Sequence, residues 1–211
     1  PIAIRSSSLL EDSHYQPFAG IYSTYMIPSL PDTARRLELL ADAVKGVYAS
    51  VFYRDSKAYM TATRNVIDQE KMAVLLQEVV GSDYGGHYYP HISGVARSIN
   101  YYPIGDETAE DGVANLALGL GKYIVDGGLS LRVCPAYPDK VLQTSEMEMA
   151  LRETQTRFYA LDTTFTDGKC QVDDGFNLKK LHVKEAEKDG SLRFIASTYD
   201  PYDMVIRDGI Y

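Results

Sequence analysis

The sequence predicts an α+β domain in which helices pack against an antiparallel or mixed sheet. One stretch of the chain shows apolar residues at helical spacing, and several short apolar runs have the length of strands. These elements do not alternate regularly along the chain, which disfavours a parallel α/β sheet. With 211 residues, of which 45% are hydrophobic and 24% charged, the chain is long enough to bury a substantial core.

The chain begins with a predicted strand and a predicted helix. Ile2 to Arg5 indicate a short strand that enters a serine turn at residues 6–8, which suits either an anion or the cap of the next element. Pro31 and Asp32 then mark the start of a helix. Its apolar residues recur every three or four positions, and we expect them to be core: Leu37, Leu40, Ala41, Val44, Tyr48, Val51 and Phe52.

The middle of the chain is rich in strand signals and glycine. Residues 71–80 predict a strand in which the adjacent Gln77 and Glu78 face opposite ways, one inward and one outward. Residues 83–105 contain many glycines and tyrosines, and they predict paired strands with bulges or a mobile flap. Residues 113–128 form an apolar segment of small residues that is broken by glycines, which indicates close backbone approach.

The end of the chain has a different character. We expect residues 1–140 to form one portion of the domain, and residues 141–211 to form a strand-rich C-terminal extension packed on it. A turn at residues 188–190 is predicted to join the last two strands as a hairpin. The candidate strands of this extension are 157–162, 181–186 and 192–198.

Charge and cysteine content exclude several classes of protein. Lys and Arg number 21 against 29 Asp and Glu, and the net charge of −8 disfavours general binding to nucleic acids or anionic membranes. Cys134 and Cys170 are too few for a disulfide framework and lack a Cys-x-x-Cys spacing. No apolar run reaches the roughly 20 residues of a membrane span. We therefore expect a cytoplasmic protein, and a start at Pro1 without Met favours a piece of a longer chain.

Arg5 is the first candidate site residue, because it stands directly before three serines. A guanidinium keeps its charge at all physiological pH values and bonds a phosphate through two donors. The alternative is a structural ion pair between Arg5 and either Glu11 or Asp12.

The other motifs are weaker. The ALGLGKY segment fits neither the phosphate-loop pattern nor the dinucleotide-binding fingerprint. A proline lies between His87 and His91, so these histidines cannot form a helical metal pair, and no nucleophile motif supports hydrolase chemistry. The acidic cluster of Glu107, Glu110 and Asp111 indicates a solvated helix start or, alternatively, a metal contact.

Several segments, taken in order, resemble a known family. IRSSSLLEDSHYQPFAG resembles the VRSSATAEDLPDASFAG block of phosphoenolpyruvate synthases and pyruvate phosphate dikinases. KMAVLLQEVV is similar to their VAVIVQxMV strand, SGVARSIN to SGVxFTRNP, and ALGLGKYIVDGG to YGLGEAVVSGE. These blocks extend from Ile2 to about Pro138, and the first is the most specific.

The resemblance implies part of an ATP-grasp nucleotide-binding domain. In the family, this domain uses ATP to phosphorylate a histidine carrier, and the phosphoryl group then passes to pyruvate and gives phosphoenolpyruvate. ATP and Mg²⁺ are the implied ligands, and the phosphohistidine and pyruvate-binding domains are the implied partners. Carried over by position, Arg5 and Arg132 are implied catalytic ligands of the phosphates. Gln77, Glu78 and Val80 are implied to form the strand edge that holds adenine and ribose.

The sequence departs from the family pattern at several positions. Asn115 stands where the family has a metal-binding Glu, and Lys122 replaces the Glu that follows the glycine pair. Asn115 remains a candidate metal ligand through its neutral oxygen. Arg97 remains a candidate cofactor ligand, although it lies about two positions before the family's Arg, whose place is near Ile99.

These departures leave two alternatives to the phosphotransferase. One is a degenerate nucleotide-binding module that transfers no phosphoryl group, and the other is an interaction module whose flap, from Tyr84 to Tyr102, contacts a protein partner. We expect the 211 residues alone to be inactive, because the carrier histidine motif and the acceptor site do not occur in this sequence.

Overall fold

The computed structural model describes residues 1–8, 11, 20–63, 70–165, 172, 175 and 177–209. The described residues form five α-helices: α1 (Thr33–Ser50), α2 (Arg54–Thr63), α3 (Lys122–Val125), α4 (Met147–Glu153) and α5 (Val183–Lys188). They also form twelve strands: β1 (Ile2–Ser8), β2 (Tyr25–Ile27), β3 (Met72–Glu78), β4 (Ser82–Asp83), β5 (His87–Tyr89), β6 (Ser93–Arg97), β7 (Val113–Ala117), β8 (Leu131–Val133), β9 (Arg157–Asp162), β10 (Leu178–His182), β11 (Ser197–Asp200) and β12 (Val205–Asp208). The α+β class predicted from the sequence is confirmed.

The chain divides into two compact units. The first contains Pro1–Val80, Gly86–Tyr88 and Leu161–Lys179. The second contains Gly81–Gly85, Tyr89–Ala160 and Lys180–Tyr211.

The first unit contains a three-stranded antiparallel sheet in the order β2-β1-β3. Helix α1 packs on one face of this sheet, and Ile4 from the central strand is fully buried there with residues of α1. The helix begins as predicted: the Asp32 carboxylate accepts a hydrogen bond of 2.8 Å from the Ala34 amide and so caps the first turn. The strand predicted at residues 71–80 is also confirmed, as β3.

The buried face of α1 differs from the predicted stripe. Leu37 is 65% exposed and Phe52, just beyond the helix, is 60% exposed, whereas Val51 is buried as expected. The buried face is rotated about the helix axis relative to the predicted stripe, and Leu40 and Val44, which are partly buried against the same core, lie where the two overlap. The helix residues that are buried there are Leu39, Ala43, Val47 and Ser50.

Strand β1 is longer than predicted, because the expected serine turn is part of the strand. Ser6 and Ser8 are 5% and 3% exposed. The Ser6 hydroxyl donates to the Glu11 carboxylate at 2.8 Å, and the Ser8 amide donates to the same carboxylate at 3.1 Å. Glu11 thus satisfies polar groups that would otherwise be buried without partners, and this allows the serines to lie in a buried strand.

The second unit contains a three-stranded antiparallel sheet in the order β6-β7-β8. Its register sets Val95 opposite Asn115 and Asn115 opposite Arg132. The flap predicted at residues 83–105 contains β5 and β6, which lie in different sheets and do not pair with each other.

The described chain also forms a four-stranded sheet in the order β10-β9-β5-β4, and β9 has the predicted bounds.

The predicted hairpin near residue 189 is wrong. Residues 183–188 form α5, whose first turn is capped by the His182 ring nitrogen, which accepts from the Lys184 amide at 3.2 Å. Ala186 is fully buried, so the apolar positions read as a strand serve as one face of this short helix. Residues 191–194 form a 3-10 turn, and the hairpin lies later in the chain, between β11 and β12.

A buried tyrosine organises the core of the second unit. Tyr89 is fully buried and packs against Phe158, with ring centroids 4.8 Å apart. Its hydroxyl donates to the Asp189 carboxylate at 2.9 Å, and it lies 3.0 Å from the Ser191 hydroxyl.

Cys134 is a buried free thiol, whereas Cys170 and His14 lie outside the described residues. None of the helices in the described ranges has both the length and the apolar composition needed to cross a bilayer.

Truncation of a leucine should destabilise the protein on the buried face of α1 and have little effect on its exposed face. Leu39→Ala removes a side chain that is 2% exposed, so we expect it to lower the free energy of unfolding by about 2–5 kcal/mol. Leu37→Ala removes a side chain that is 65% exposed, so we expect a change within about 0.5 kcal/mol. Urea unfolding of both variants measures the difference. Equal destabilisation of the two variants would contradict the buried face described here.

Candidate functional site

Arg5 lies in the central strand of the first sheet, on the face opposite Ile4. Successive strand residues alternate between faces, so the burial of Ile4 under α1 directs Arg5 to the other side, where it is exposed. Glu11, one of its two predicted ion-pair partners, bonds Ser6 and Ser8 instead. Asp12, the other, lies outside the described residues. Among the residues that the structure describes, the Arg5 guanidinium has no ion pair or hydrogen bond.

Gln77 and Glu78 lie on opposite faces of β3, as predicted, but both are exposed. Gln77 is opposite Ala3 on the neighbouring strand, two positions from Arg5, and therefore shares the open face with Arg5. Glu78 is opposite Ile2 on the other face. Arg5 and Gln77 are thus close neighbours on one exposed surface.

The outer edge of β3 presents free backbone groups. Within the described residues, β3 pairs only with β1 in its sheet. The Val79 amide donates to the Pro1 carbonyl at 3.1 Å, so the alternation of an antiparallel pair directs the backbone groups of Glu78 away from β1. Val80, immediately beyond, is 79% exposed. Tyr88 contacts this end of the strand, since its hydroxyl donates to the Val79 carbonyl at 2.9 Å.

The remaining candidate residues share one face of the second unit's sheet. Asn115 is directly opposite Arg132, and Arg97 is opposite Val113, two residues from Asn115 on the same strand. Since side chains alternate with a period of two, Arg97, Asn115 and Arg132 point to the same side. Neither Arg97 nor Asn115 has a side-chain hydrogen bond within the described part of the chain.

Arg132 is held by a carboxylate and two carbonyl oxygens. Its Nη1 and Nη2 donate to Oε1 and Oε2 of Glu107 at 3.0 and 2.6 Å, in a two-point ion pair. Nη2 also lies 3.3 Å from Asn100 Oδ1 and 3.2 Å from the Tyr102 carbonyl oxygen. The Glu107 side chain is 5% exposed and the Arg132 side chain 22% exposed. The guanidinium bond holds the pKa of Glu107 at about 2 and raises the pKa of Arg132.

The acidic cluster divides into two roles. Glu107 is buried against Arg132, so the expectation of a solvated carboxylate is wrong for this residue. Asp111 accepts from the Thr108 amide and hydroxyl and caps the 3-10 turn at Ala109–Asp111, while Glu110 is exposed, as expected of a helix start. No cluster of three or more His, Cys, Asp or Glu that would suit a metal ion occurs among the described residues.

The glycine segment is shaped by packing. Gly119 has a φ of +86°, and a Cβ atom there would lie 2.7 Å from the Tyr159 carbonyl oxygen. Glycine is therefore required by the close backbone approach that the sequence predicted. Lys122, at the start of α3, lies 3.4 Å from the Asp126 carboxylate.

Sequence reasoning missed two residues that determine the state of Arg132. Asn100 is 2% exposed and donates to Glu107 at 2.8 Å, and Gln143 accepts from the Arg132 backbone amide at 2.7 Å. The two contacts join residues 7 and 11 positions apart, a spacing that corresponds to no helix or strand repeat, so no local motif indicates them. The single available signal was the position of Glu107 in the acidic cluster.

The candidate residues form two sets. Arg5, Gln77, Glu78 and Val80 belong to the first unit, and Arg97, Asn115 and Arg132 belong to the second. In a comparison with known protein families, residues 1–186 match the model of the pyruvate phosphate dikinase AMP/ATP-binding domain. No curated protein sequence matches the chain significantly.

The Glu107–Arg132 ion pair predicts an acid-sensitive contribution to stability. The pKa of Glu107 is about 2 in the folded protein against an ordinary value of 4.5, so the pair stabilises the fold above pH 4.5 and this contribution is lost between pH 4.5 and 2. Glu107→Gln should be less stable than wild type at pH 6, and the difference should shrink towards pH 2. Urea unfolding across this range measures it. Glu110→Gln is the exposed control, and the same pH-dependent difference in that variant would contradict the assignment.

Proposed function

Since this chain belongs to the pyruvate phosphate dikinase AMP/ATP-binding domain family, we propose that it binds ATP with Mg²⁺ and phosphorylates a histidine carrier on another domain. In this proposal the carrier passes the group to a pyruvate-binding domain. The parent protein is then a phosphotransferase similar to phosphoenolpyruvate synthase. The cytoplasm, where ATP is available, is the proposed compartment.

The observation that carries the proposal is the guanidinium of Arg5, which has no ion pair or hydrogen bond among the residues that the structure describes. An exposed guanidinium without a carboxylate partner keeps its donors free for an anionic ligand. Glu11, close in sequence, is engaged by Ser6 and Ser8, which leaves Arg5 available. We assign to Arg5 a two-donor contact with the phosphates of the nucleotide.

The open edge of β3 supports an adenine and ribose site. An adenine edge presents one donor and one acceptor, which match a backbone carbonyl and amide on an unpaired strand edge. Glu78 and Val80 supply such backbone groups in the proposal, and the exposed Glu78 carboxylate is suited to accept bonds from ribose hydroxyls. Gln77, beside Arg5 on the open face, supplies a further amide for the phosphates.

The candidate residues of the second unit's sheet are only partly suited to bind a phosphate together with its metal ion. Arg97 and Asn115 have polar groups on one sheet face with no side-chain partner among the described residues, so they are available to a phosphate oxygen and to a cation. Asn115 offers Mg²⁺ a neutral oxygen without an adjacent carboxylate, which is a weak donor set for this ion. We therefore propose Arg97 as a cofactor ligand and Asn115 as a metal ligand that depends on the phosphates for the remaining ligands.

Bound ATP would supply the transferable phosphoryl group. The role of this chain is to hold and orient the phosphates and to balance the charge that develops on their oxygens, because phosphoryl transfer depends mainly on positioning and electrostatic stabilisation. Arg5 and Arg132 have this role in the proposal. Arg132 already neutralises Glu107, so a phosphate has to compete with that carboxylate for it.

A degenerate nucleotide-binding module is the second candidate function. It is favoured by Asn115 and Lys122, which stand in place of carboxylates, and by the lack of an acidic metal cluster in the described ranges. Lys122 can supply positive charge where a cation would otherwise bind. Such a module would sense ATP and transfer nothing.

We expect Arg5→Ala to weaken ATP binding by about tenfold or more, because a charge-assisted contact with phosphate is lost. Isothermal titration calorimetry with ATP, with and without Mg²⁺, measures the affinity. Arg54→Ala is the matched control, since Arg54 is an exposed arginine of the same unit with no recorded ion pair among the described residues. An unchanged affinity in Arg5→Ala would remove Arg5 from the site, whereas unfolding of that variant would support a structural role.

Incubation of the full-length protein, which in this proposal includes the histidine carrier domain, with ATP labelled at both the β- and the γ-phosphorus separates the two candidate functions. A phosphotransferase should yield an acid-labile, base-stable label, which is characteristic of phosphohistidine. A sensing module should bind ATP in calorimetry and yield no label. The Arg5→Ala variant controls for labelling by a contaminating kinase, because its label should fall together with its affinity for ATP.

A further inference from the structure

Glu107 occupies the part of Arg132 that a phosphate would use. Arg132 bonds both carboxylate oxygens of Glu107 through Nη1 and Nη2, at 3.0 and 2.6 Å. A phosphate is recognised by a guanidinium through the same kind of two-donor contact. A phosphate that binds Arg132, as the proposed function requires, therefore has to compete with the Glu107 carboxylate.

The remaining N–H donors of Arg132 cannot make a second two-donor contact. Nη2 is also directed to Asn100 Oδ1 at 3.3 Å and to the Tyr102 carbonyl at 3.2 Å. Of the five N–H bonds of a guanidinium, this leaves one on Nε and one on Nη1, which lie on different edges of the planar group. A phosphate can make a two-donor contact with Arg132 only if Glu107 withdraws.

The same carboxylate orders the segment Asn100–Glu107. Glu107 Oε2 accepts from the Ile104 amide at 3.0 Å and from the Asn100 side chain at 2.8 Å. Asn100 Oδ1 in turn accepts from the Tyr102 amide at 3.1 Å. Tyr101 and Tyr102, which these bonds hold in place, are 68% and 84% exposed. Loss of the Glu107–Arg132 pair would therefore loosen a surface segment that carries two tyrosines.

We propose that the Glu107–Arg132 ion pair is a latch that opens when a nucleotide phosphate binds Arg132. Opening frees the Glu107 carboxylate, weakens its bonds to Ile104 and Asn100, and loosens Asn100–Glu107. Occupancy of Arg132 is thereby transmitted to the exposed Tyr101 and Tyr102. This inference rests on the proposed function, because it requires Arg132 to be a phosphate ligand.

Hydrogen exchange of the wild-type protein tests the opening directly. With saturating ATP and Mg²⁺, the Ile104 amide should exchange about tenfold faster than without nucleotide, because its acceptor on Glu107 is released. Adenosine, which has no phosphate, should leave the rate unchanged. An Ile104 amide that exchanges equally fast or more slowly in the ATP complex would overturn the latch.

The variant Glu107→Gln tests the competition. It removes the negative charge and keeps an oxygen that can accept from Ile104, so we expect ATP to bind about tenfold more tightly while adenosine binds as in wild type. Glu110→Gln makes the same charge change at an exposed residue just beyond this segment and should leave both affinities unchanged. Weaker or equal ATP binding by Glu107→Gln would overturn the competition.

Two further outcomes separate this inference from the proposed function. If Arg132→Gln binds ATP as tightly as wild type, the latch is overturned while ATP binding by the protein stands. If wild type binds no ATP in calorimetry, the proposed function fails and the competition fails with it. Exchange at Ile104 in nucleotide-free Glu107→Ala, which removes the acceptor of the Ile104 amide, then decides whether Glu107 orders the segment, since an unchanged rate would overturn that role as well.

Discussion

The central position of β1 is the constraint on which the first unit depends. Because β1 is paired on both edges, its backbone direction is fixed and its side chains alternate strictly between two faces. Burial of Ile4 under α1 sets the phase of this alternation, and Arg5 follows on the open face. The availability of Arg5 to a ligand is thus a consequence of hydrophobic packing one residue away.

The second unit uses a different device to position charge. Its sheet aligns Arg97, Asn115 and Arg132 on one face, but it leaves their electrostatic environment to residues outside the strands. Glu107 and Asn100 reach Arg132 from a connecting segment and determine how much of its charge is available. Arg97 and Asn115, which have no such side-chain partners in the described ranges, differ from Arg132 in this respect although all three share the register.

Local sequence patterns were sufficient to predict features that depend on a single helix or strand. The Asp32 cap, α1, β3 and β9 follow from residues adjacent in sequence, and the family resemblance agrees with the match over residues 1–186. The buried side of α1 was beyond such patterns, because the apolar residues of this helix cover a wide arc and only packing against the sheet selects which part of it is buried. The prediction of a strand in the α5 region was wrong for a related reason, since its apolar residues suit a strand and a short helix alike.

The candidate site shows the same division between local and distant information. Gln77 and Glu78 lie on opposite faces of β3, as predicted, because side chains in a strand alternate with a period of two. Neither the engagement of Glu11 by two serines nor the capture of Arg132 by Glu107 can be read from a motif, because each depends on contacts made in the folded chain. The roles of the seven candidate residues in binding ATP remain predictions for experiment.

The close approach at Gly119 has a consequence for how relatives of this chain diverge. A side chain there would collide with the Tyr159 carbonyl, so selection for folding alone retains this glycine whether or not the protein transfers a phosphoryl group. Among homologues, a preserved Gly119 therefore reports an intact fold and not, by itself, phosphoryl transfer.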